Sequence, residues 1–325
     1  MSYLGRRFLR AIALILGVSA LCFVFTELAP GSFFDELRLN PQVSRETIEA
    51  LQQHYGLNQP LPVKYARWMA SVARGDFGYS VAYNAPVAPM LIARARNTLW
   101  LTATAMLLTW LIAIPLGVFT AARQGRMLDR MVGGGTSLLV SIPEIVLAVA
   151  LLALAVRTRW LPVGGMRSMG FDELSGWGKL HDMLLRMVLP VSILVLSSVA
   201  VLMRHVRASV VEVLDAPYLQ TARGLGISQS RLLFRHALPV AANAAISLFG
   251  FSVAALLSGS LLVEVVTGWP GLGPLILDAT FSRDLYVVIG GVMFSTLFMV
   301  MGNFLADLML LACDPRIRTG GQDAA

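Results

Sequence analysis

The sequence is poor in charge, in lysine and in cysteine. Only 14% of its 325 residues are charged and 56% are hydrophobic, whereas soluble domains usually carry about 25% charged residues. Lysine occurs only at Lys64 and Lys179, so arginine carries almost all of the formal net charge of +7. The two cysteines, Cys22 and Cys313, lie in apolar segments near opposite ends of the chain and predict neither a disulfide nor a metal-binding pair. This composition excludes a disordered tail, a coiled coil and a disulfide-stapled module, and it indicates a polytopic membrane protein.

Several catalytic signatures are also missing. The sequence has no Gly-x-x-x-x-Gly-Lys-Ser/Thr phosphate loop, so we do not expect this chain to hydrolyse ATP. It has no His-Glu-x-x-His or Gly-x-Ser-Gly pattern, and none of its four histidines stands beside a cysteine pair. We therefore predict no catalytic residue and no metal site. Positive charge in so apolar a chain is typical of cytoplasmic loops, and we expect no nucleic-acid partner.

Six stretches are apolar enough to cross a bilayer, which takes about 20 residues. They are predicted at 8–29, 97–121, 132–156, 187–203, 237–263 and 286–311. Pro115, Pro143 and Pro190 fall inside or at the start of these stretches, which membrane helices tolerate when neighbouring groups satisfy the freed carbonyl. Three arginines precede the uncharged run Ala11–Thr26 of the first stretch, as in a signal peptide. The absence of a clear small-residue cleavage site favours an uncleaved helix. The prediction is an all-α bundle of about six transmembrane helices.

The distribution of positive charge indicates the orientation. With a cytoplasmic N-terminus, Lys and Arg would be about twice as dense in the inner segments as in the outer ones. The inner segments would then be 1–10, 122–131, 204–236 and 312–325. We therefore expect both termini in the cytoplasm.

The long segment 30–96 is expected outside the membrane. A capped amphipathic pattern predicts a helix over Ser44–Tyr55, and a second helix is predicted over Val63–Ala73. Gly75–Ser80 has the composition of a turn. Two interpretations stay open at this point: a small cap that packs on the bundle, or a docking surface for a soluble partner.

The segment 204–236 has its own helical signals. Pro217 is suited to the first turn of a short helix that runs to Leu225, and Gly226 is suited to its end. Ser228 then predicts the start of another helix that runs toward Pro239. The expected exposed face of the short helix consists of Tyr218, Thr221, Ala222 and Leu225. This face would fit a groove on another protein, while the alternative is an ordinary cytoplasmic loop.

Acidic residues within the apolar stretches are costly and therefore functional candidates. Glu144 follows Pro143 near the middle of the third predicted span. It would either line a translocation path and meet a cationic end of a substrate, or donate or accept a structural hydrogen bond. Glu27 and Asp307 lie nearer the ends of their spans and are expected to anchor at the interface.

The short-helix region resembles the coupling loop of permease subunits of ATP-binding-cassette (ABC) importers, with the pattern E-A-A-x-x-x-G followed by I-x-L-P. Ala222, Gly226 and Leu238-Pro239 keep the spacing of this pattern, while Gln220 replaces its glutamate and His236 its isoleucine. The resemblance implies an ATPase-coupling loop that consists of Ala216, Pro217, Tyr218, Gln220, Thr221, Ala222, Gly224, Leu225, Gly226, Leu238 and Pro239.

Further motifs resemble the dipeptide/oligopeptide branch of these importers over nearly the whole chain. They are Leu28–Gly31, Tyr55–Pro60, Arg74–Ser80, Glu264 with Trp269–Gly273, Arg283-Asp284 and Asp314–Arg318. Their order and register identify the chain as similar to the first permease subunit of such an importer. The resemblance implies the type I ABC importer permease fold and docking of a binding protein at Asp76, Glu264, Pro270, Gly271 and Gly273.

The same resemblance implies a set of partners in the cell inner membrane. They are a second homologous permease, two cytoplasmic ATPases that bind ATP and Mg²⁺, an extracytoplasmic substrate-binding protein and the lipid bilayer. The chain itself would bind no cofactor and would be a transport subunit, not an enzyme. Its expected parts are a first helix (1–29), an external segment (30–96), a five-helix core (97–311) and a cytoplasmic tail (312–325). The alternatives are an ion-driven secondary transporter, or an ABC importer of a non-peptide cargo such as a nickel chelate.

Overall fold

The computed structural model describes residues 3–28, 46, 59–228 and 231–313. The helices of these residues are α1 (Tyr3–Leu28), α2 (Leu61–Val72), α3 (Val87–Ala122), α4 (Met127–Ser141), α5 (Glu144–Thr158), α6 (Gly176–Leu214), α7 (Pro217–Gly224), α8 (Leu238–Thr267), α9 (Leu272–Phe281) and α10 (Leu285–Cys313). The shorter elements are an antiparallel hairpin of β1 (Tyr79–Ser80) and β2 (Ala85–Pro86), a 3₁₀ turn (Phe171–Glu173) and a π-helical segment (Leu232–Ala237).

The predicted all-α fold with about six apolar segments is confirmed. Among the described residues, α1, α3, α6, α8 and α10 are long and apolar enough to cross a membrane, and α4 with α5 makes a sixth apolar segment. Several helices extend beyond their predicted limits. Because α3 begins at Val87 and α6 continues to Leu214, the predicted boundaries at 97 and 204 fall inside helices.

The third predicted span is not one helix, and that prediction was wrong. α4 and α5 are bent by 98° at the break between them. Ile142 has an extended backbone (φ −91°, ψ 119°) because the ring of Pro143 disfavours helical geometry in the residue before it. Pro115 and Pro190, by contrast, lie inside the continuous helices α3 and α6. Glu144 is consequently the first residue of α5, directly after the break.

The chain divides into two compact units, residues 1–98 with 270–297 and residues 99–269 with 298–325. In the first unit, Phe23 of α1, Trp68 of α2 and Ile289 of α10 form a buried cluster. The Tyr65 hydroxyl is 2.8 Å from the Ser19 hydroxyl, and this hydrogen bond ties α2 to α1.

The predictions for segment 30–96 have two different outcomes. The helix predicted over Val63–Ala73 is confirmed as α2. The turn predicted at Gly75–Ser80 is displaced, since the chain turns at Ala73–Gly75 and Tyr79–Ser80 form β1. The helix predicted over Ser44–Tyr55 lies outside the described residues, apart from Glu46.

In the second unit, α6 lies at the centre and packs against α4, α5 and α8. Ile193, Leu194 and Met203 of α6 are fully buried in its core. Gly117 allows α3 to approach α6, since a Cβ atom there would lie only 2.8 Å from Cγ1 of Val206. Small residues at such crossings let apolar helices pack closely, which is how helices associate where no water drives them together.

Candidate functional site

The helix predicted to couple to an ATPase, α7, begins at Pro217. The missing amide hydrogen of proline is not needed in a first helical turn, and Ala216 before it has an extended backbone (φ −64°, ψ 140°). At the other end, the Leu225 amide donates to the Thr221 carbonyl at 3.0 Å, and Gly226 has a left-handed φ of 79°. This backbone favours glycine, and the predicted start and end of the helix are confirmed.

The α7 helix has one buried and one exposed face. Leu219 is 1% exposed and belongs to the core of the second unit. Tyr218 is 52% exposed and Leu225 is 78% exposed, and Thr221 is exposed beside them. Ala222 was predicted on this exposed face, but it is half-buried and packs against the core. The exposed apolar surface of α7 therefore consists mainly of Tyr218 and Leu225.

Two other predicted coupling residues shape the ends of α7. The side-chain Nε2 of Gln220 donates to the Asp215 carbonyl at 3.0 Å, which fixes the turn that precedes the helix. Gly224 is exposed as the last residue of α7.

The chain leaves α7 through a π-helical segment. The Leu232 amide donates to the Ser228 carbonyl at 3.0 Å, and Leu232 and Ala237 are fully buried. Leu238 and Pro239 form the first turn of α8, where Leu238 packs against the core and Pro239 is exposed. The predicted helix that runs toward Pro239 is thus present over the described residues 231–239, with π-type bonding that frequently marks functional positions.

An ion pair near the end of α6 holds the helix that leads into α7. Arg207 donates from Nε to Asp129 Oδ1 at 2.7 Å and from a terminal nitrogen to Oδ2 at 2.8 Å. The same Oδ2 accepts from the Gly125 amide at 2.9 Å, so the Asp129 carboxylate also fixes the turn before α4. This pair was not predicted, and its only signal in the sequence was a carboxylate in the first turn of an apolar helix.

Glu144 lies on the wall of a cavity of about 410 Å³ within the second unit. Its Oε1 accepts a hydrogen bond from the Ser197 hydroxyl of α6 at 3.1 Å. The break at Pro143 therefore places the first residue of α5, Glu144, at the wall of a cavity. Pro143 lines the same cavity.

The residues predicted to dock a binding protein differ in exposure. Asp76 is exposed, and it accepts a hydrogen bond from the Gly78 amide at 2.9 Å. Pro270 is half-buried, but Gly271, Gly273 and Glu264 are buried, with Glu264 at 0% exposure. Glu264 is buried because α8 extends to Thr267 and carries it into the protein interior. Docking of a binding protein at these residues stays a prediction.

Two further acidic residues, Glu27 and Asp307, were predicted at the ends of apolar spans. Asp307 is 3% exposed, so its side chain lies inside the protein, and its place at a membrane interface stays a prediction. The side chain of Glu27 lies outside the described part of the structure.

In the first unit, Asp284 joins the β1–β2 hairpin to the start of α10. Its Oδ2 accepts from the Ser80 hydroxyl at 2.5 Å, and its Oδ1 accepts from the Val287 amide at 3.4 Å, as a helix cap does. Tyr83 lies in the same hairpin, and burial together with the carboxylates of Asp278 and Asp284 raises the pKa of its phenol, although Arg94 opposes the shift. Asp284 is 6% exposed.

Replacing Asp284 with alanine should lower the free energy of unfolding by about 2 kcal/mol, because Ser80 loses its buried acceptor and α10 loses its cap. The measurement is the thermal unfolding of the purified chain in detergent. Asp278→Ala removes an exposed carboxylate from the same unit and is the control. Equal melting temperatures for the two variants would contradict the anchoring role.

Two family models match this chain. Residues 113–319 match the model described as binding-protein-dependent transport system inner membrane component. Residues 1–102 match the N-terminal model of binding-protein-dependent transport system membrane components.

Curated relatives match over almost the whole length. The oligopeptide transport system permease protein AppB of Bacillus subtilis is 33% identical over 318 residues, which cover 97% of this chain and 99% of AppB. The glutathione transport system permease protein GsiC of Escherichia coli K12 is 31% identical over 321 residues, which cover 98% and 99%.

A solved structure has the same fold. It is the MetNI methionine ABC transporter in an inward-facing conformation, with a TM-score of 0.56 and 17% sequence identity. The match covers 69% of this chain and 96% of the other. The predicted type I importer permease fold is therefore confirmed.

Proposed function

The chain belongs to the family of binding-protein-dependent transport system inner membrane components, and from this premise we propose that it forms half of a translocation path for short peptides or peptide-like solutes. It is a multi-pass inner-membrane permease subunit of an ABC importer, and it is not itself an enzyme. The peptide cargo is supported by its relatives, which are named as oligopeptide and glutathione permeases.

The proposed partners are a second homologous permease, two cytoplasmic ATPases and an extracytoplasmic binding protein. ATP and Mg²⁺ are bound by the ATPases in this scheme. Both termini lie in the cytoplasm, an orientation supported by the density of arginine in the segments around α7. The β1–β2 hairpin is then on the outer side, where Asp76 and Pro270 are available to the binding protein.

The observation that supports the coupling role is that α7 has one face buried in the permease core and the opposite face exposed. Leu219 fixes the helix to the permease core, while Tyr218 and Leu225 present an apolar surface that suits a cleft on an ATPase. ATP-driven closure of the ATPases then moves α7 together with the helices that pack against it. This shifts the population between inward-open and outward-open states, because the two states offer α7 different contacts.

The test is the replacement of Leu225 by aspartate, which should reduce association with the ATPase at least about tenfold, because a charge in an apolar cleft loses its hydration. The measurement is recovery of the ATPase with the tagged permease from detergent extracts. Met169→Asp is the matched control, since Met169 is, like Leu225, a largely exposed apolar residue but lies in the segment between α5 and α6. Equal ATPase recovery for both variants would contradict the proposed coupling role.

A further inference from the structure

The cavity beside Glu144 has a distinctive polar lining. Its walls are mostly aliphatic, and Glu144 is the one acidic residue among the lining residues that the structure describes. The other polar groups are hydroxyls and an imidazole, from Thr109, Ser197, Ser198, His205 and Ser252. A volume of about 410 Å³ is in the range of small-molecule sites.

The position of the Glu144 carboxylate is fixed by two helices. Ser197 of α6 donates to one oxygen at 3.1 Å. On α8, Gly259 makes room for the group, since a Cβ atom there would lie 2.5 Å from Oε2 and 2.6 Å from Oε1. A carboxylate offers about four acceptor sites, and an ionised one within an apolar span is costly unless a cation or donors meet it.

A second and independent group at this cavity lacks a partner. Thr109 of α3 is 1% exposed and lines the cavity, and its Oγ1 has no hydrogen-bond partner among the residues that the structure describes. Buried hydroxyls in proteins are nearly always hydrogen-bonded, so such a group indicates a ligand or a water molecule at that wall.

The imidazole of His205 adds an acceptor. Its Nδ1 lies 2.8 Å from the Val201 carbonyl, and because a carbonyl only accepts, Nδ1 carries the hydrogen. In the neutral ring the other nitrogen, Nε2, is then an acceptor. The carboxylate, hydroxyl and imidazole groups can all accept hydrogen bonds, so together they suit a compact cation that has only hydrogen-bond donors.

We propose that this cavity binds the α-ammonium group of a peptide in transit, with Glu144 as the residue that selects a free amino terminus. The inference rests on the proposed function and deepens it, because it assigns selectivity to the permease as well as to the binding protein. An ammonium group has three donors, which suit the carboxylate of Glu144 and the hydroxyl of Thr109. The aliphatic walls accommodate the side chains of the peptide.

The experiment compares wild type with Glu144→Gln in proteoliposomes that contain the importer with its partner subunits and ATP. Two probes are used: a pool of tripeptides with free amino termini and the same pool after N-acetylation, both quantified inside the vesicles by mass spectrometry. Glu144→Gln should reduce uptake of the free pool at least about tenfold, the lower end of the range for a hydrogen bond to a charged group. Uptake of the acetylated pool should change less than about twofold.

Further variants separate selection from folding. Gly259→Ala should produce the same loss of preference for the free pool, because its methyl group displaces the carboxylate without removing it. Thr109→Val keeps the shape of the side chain and should reduce uptake of the free pool several-fold. Glu173→Gln, which neutralises an exposed carboxylate outside the cavity, should leave the ratio of the two pools unchanged.

The possible outcomes are distinct. An unchanged ratio in Glu144→Gln, with ATP-dependent uptake by wild type, overturns this inference and leaves the proposed function intact. An equal loss for both pools also overturns it, because a structural or ion-binding carboxylate does not distinguish them. Absence of ATP-dependent uptake of either pool by wild type overturns the proposed peptide transport and this inference with it.

Discussion

Replacing Leu219 with aspartate should abolish ATP-dependent uptake while the chain still inserts into the membrane. Leu219 is 1% exposed and packs in the core between α6 and the segment that leads to α8. An uncompensated buried charge costs about 3–5 kcal/mol. Because α7 has only eight residues, it is too short to be stable without this packing. The variant helix should therefore detach from the permease core.

The measurement is uptake in cells, together with the amount of protein in the membrane fraction. Leu219→Met preserves the apolar volume, should cost less than about 1.5 kcal/mol and serves as the control. Uptake by Leu219→Asp at the level of Leu219→Met would contradict the view that α7 transmits force through its buried face.

Replacing Arg207 with alanine should lower the free energy of unfolding by about 2 kcal/mol. The side chain of Asp129 is 9% exposed and that of Arg207 is 31% exposed, so the solvent screens only one side of the pair. Removal of Arg207 leaves the Asp129 carboxylate buried with only the Gly125 amide, which costs more than the pair itself contributes. The expected loss of stability is smaller than for a fully buried ion pair because Arg207 is partly hydrated.

Thermal unfolding of the purified chain in detergent measures this effect. Arg130→Ala removes an exposed arginine next to Asp129 and should change the free energy of unfolding by less than about 0.5 kcal/mol. In the double variant Asp129→Ala/Arg207→Ala part of the lost stability should return, because no buried charge remains. A double variant that is less stable than the Arg207→Ala variant would contradict this explanation.

The lengths of the apolar segments could be predicted from the sequence, but their continuity could not. Hydropathy depends on composition, and 132–156 contains no charged residue except Glu144, so it resembles one continuous span. The presence of proline does not identify a break either. Pro115 and Pro190 lie within continuous helices, whereas Pro143 lies at the break before α5. Which of these prolines interrupts a helix could therefore not be predicted from their presence in the sequence.

The site shows the same division between local and distant information. The ends of α7 were predictable because the backbone preferences of Pro217 and Gly226 act on their own residues. The pair Asp129–Arg207 was not, since its members are 78 residues apart and meet only in the folded chain. The pairing of Gly259 with the carboxylate of Glu144 was not predictable either, because it depends on where α8 passes α5.

The contact of Ser80 with Asp284 has a consequence for how the protein is made. The two residues are separated by 204 positions, so during synthesis at about 5–20 residues per second the hairpin waits roughly 10–40 s for its acceptor. In that interval the Ser80 hydroxyl lacks the acceptor that it has in the folded chain. The first compact unit therefore cannot close until most of the chain has left the ribosome, and a truncated product that ends before residue 284 should be an early substrate for membrane proteases.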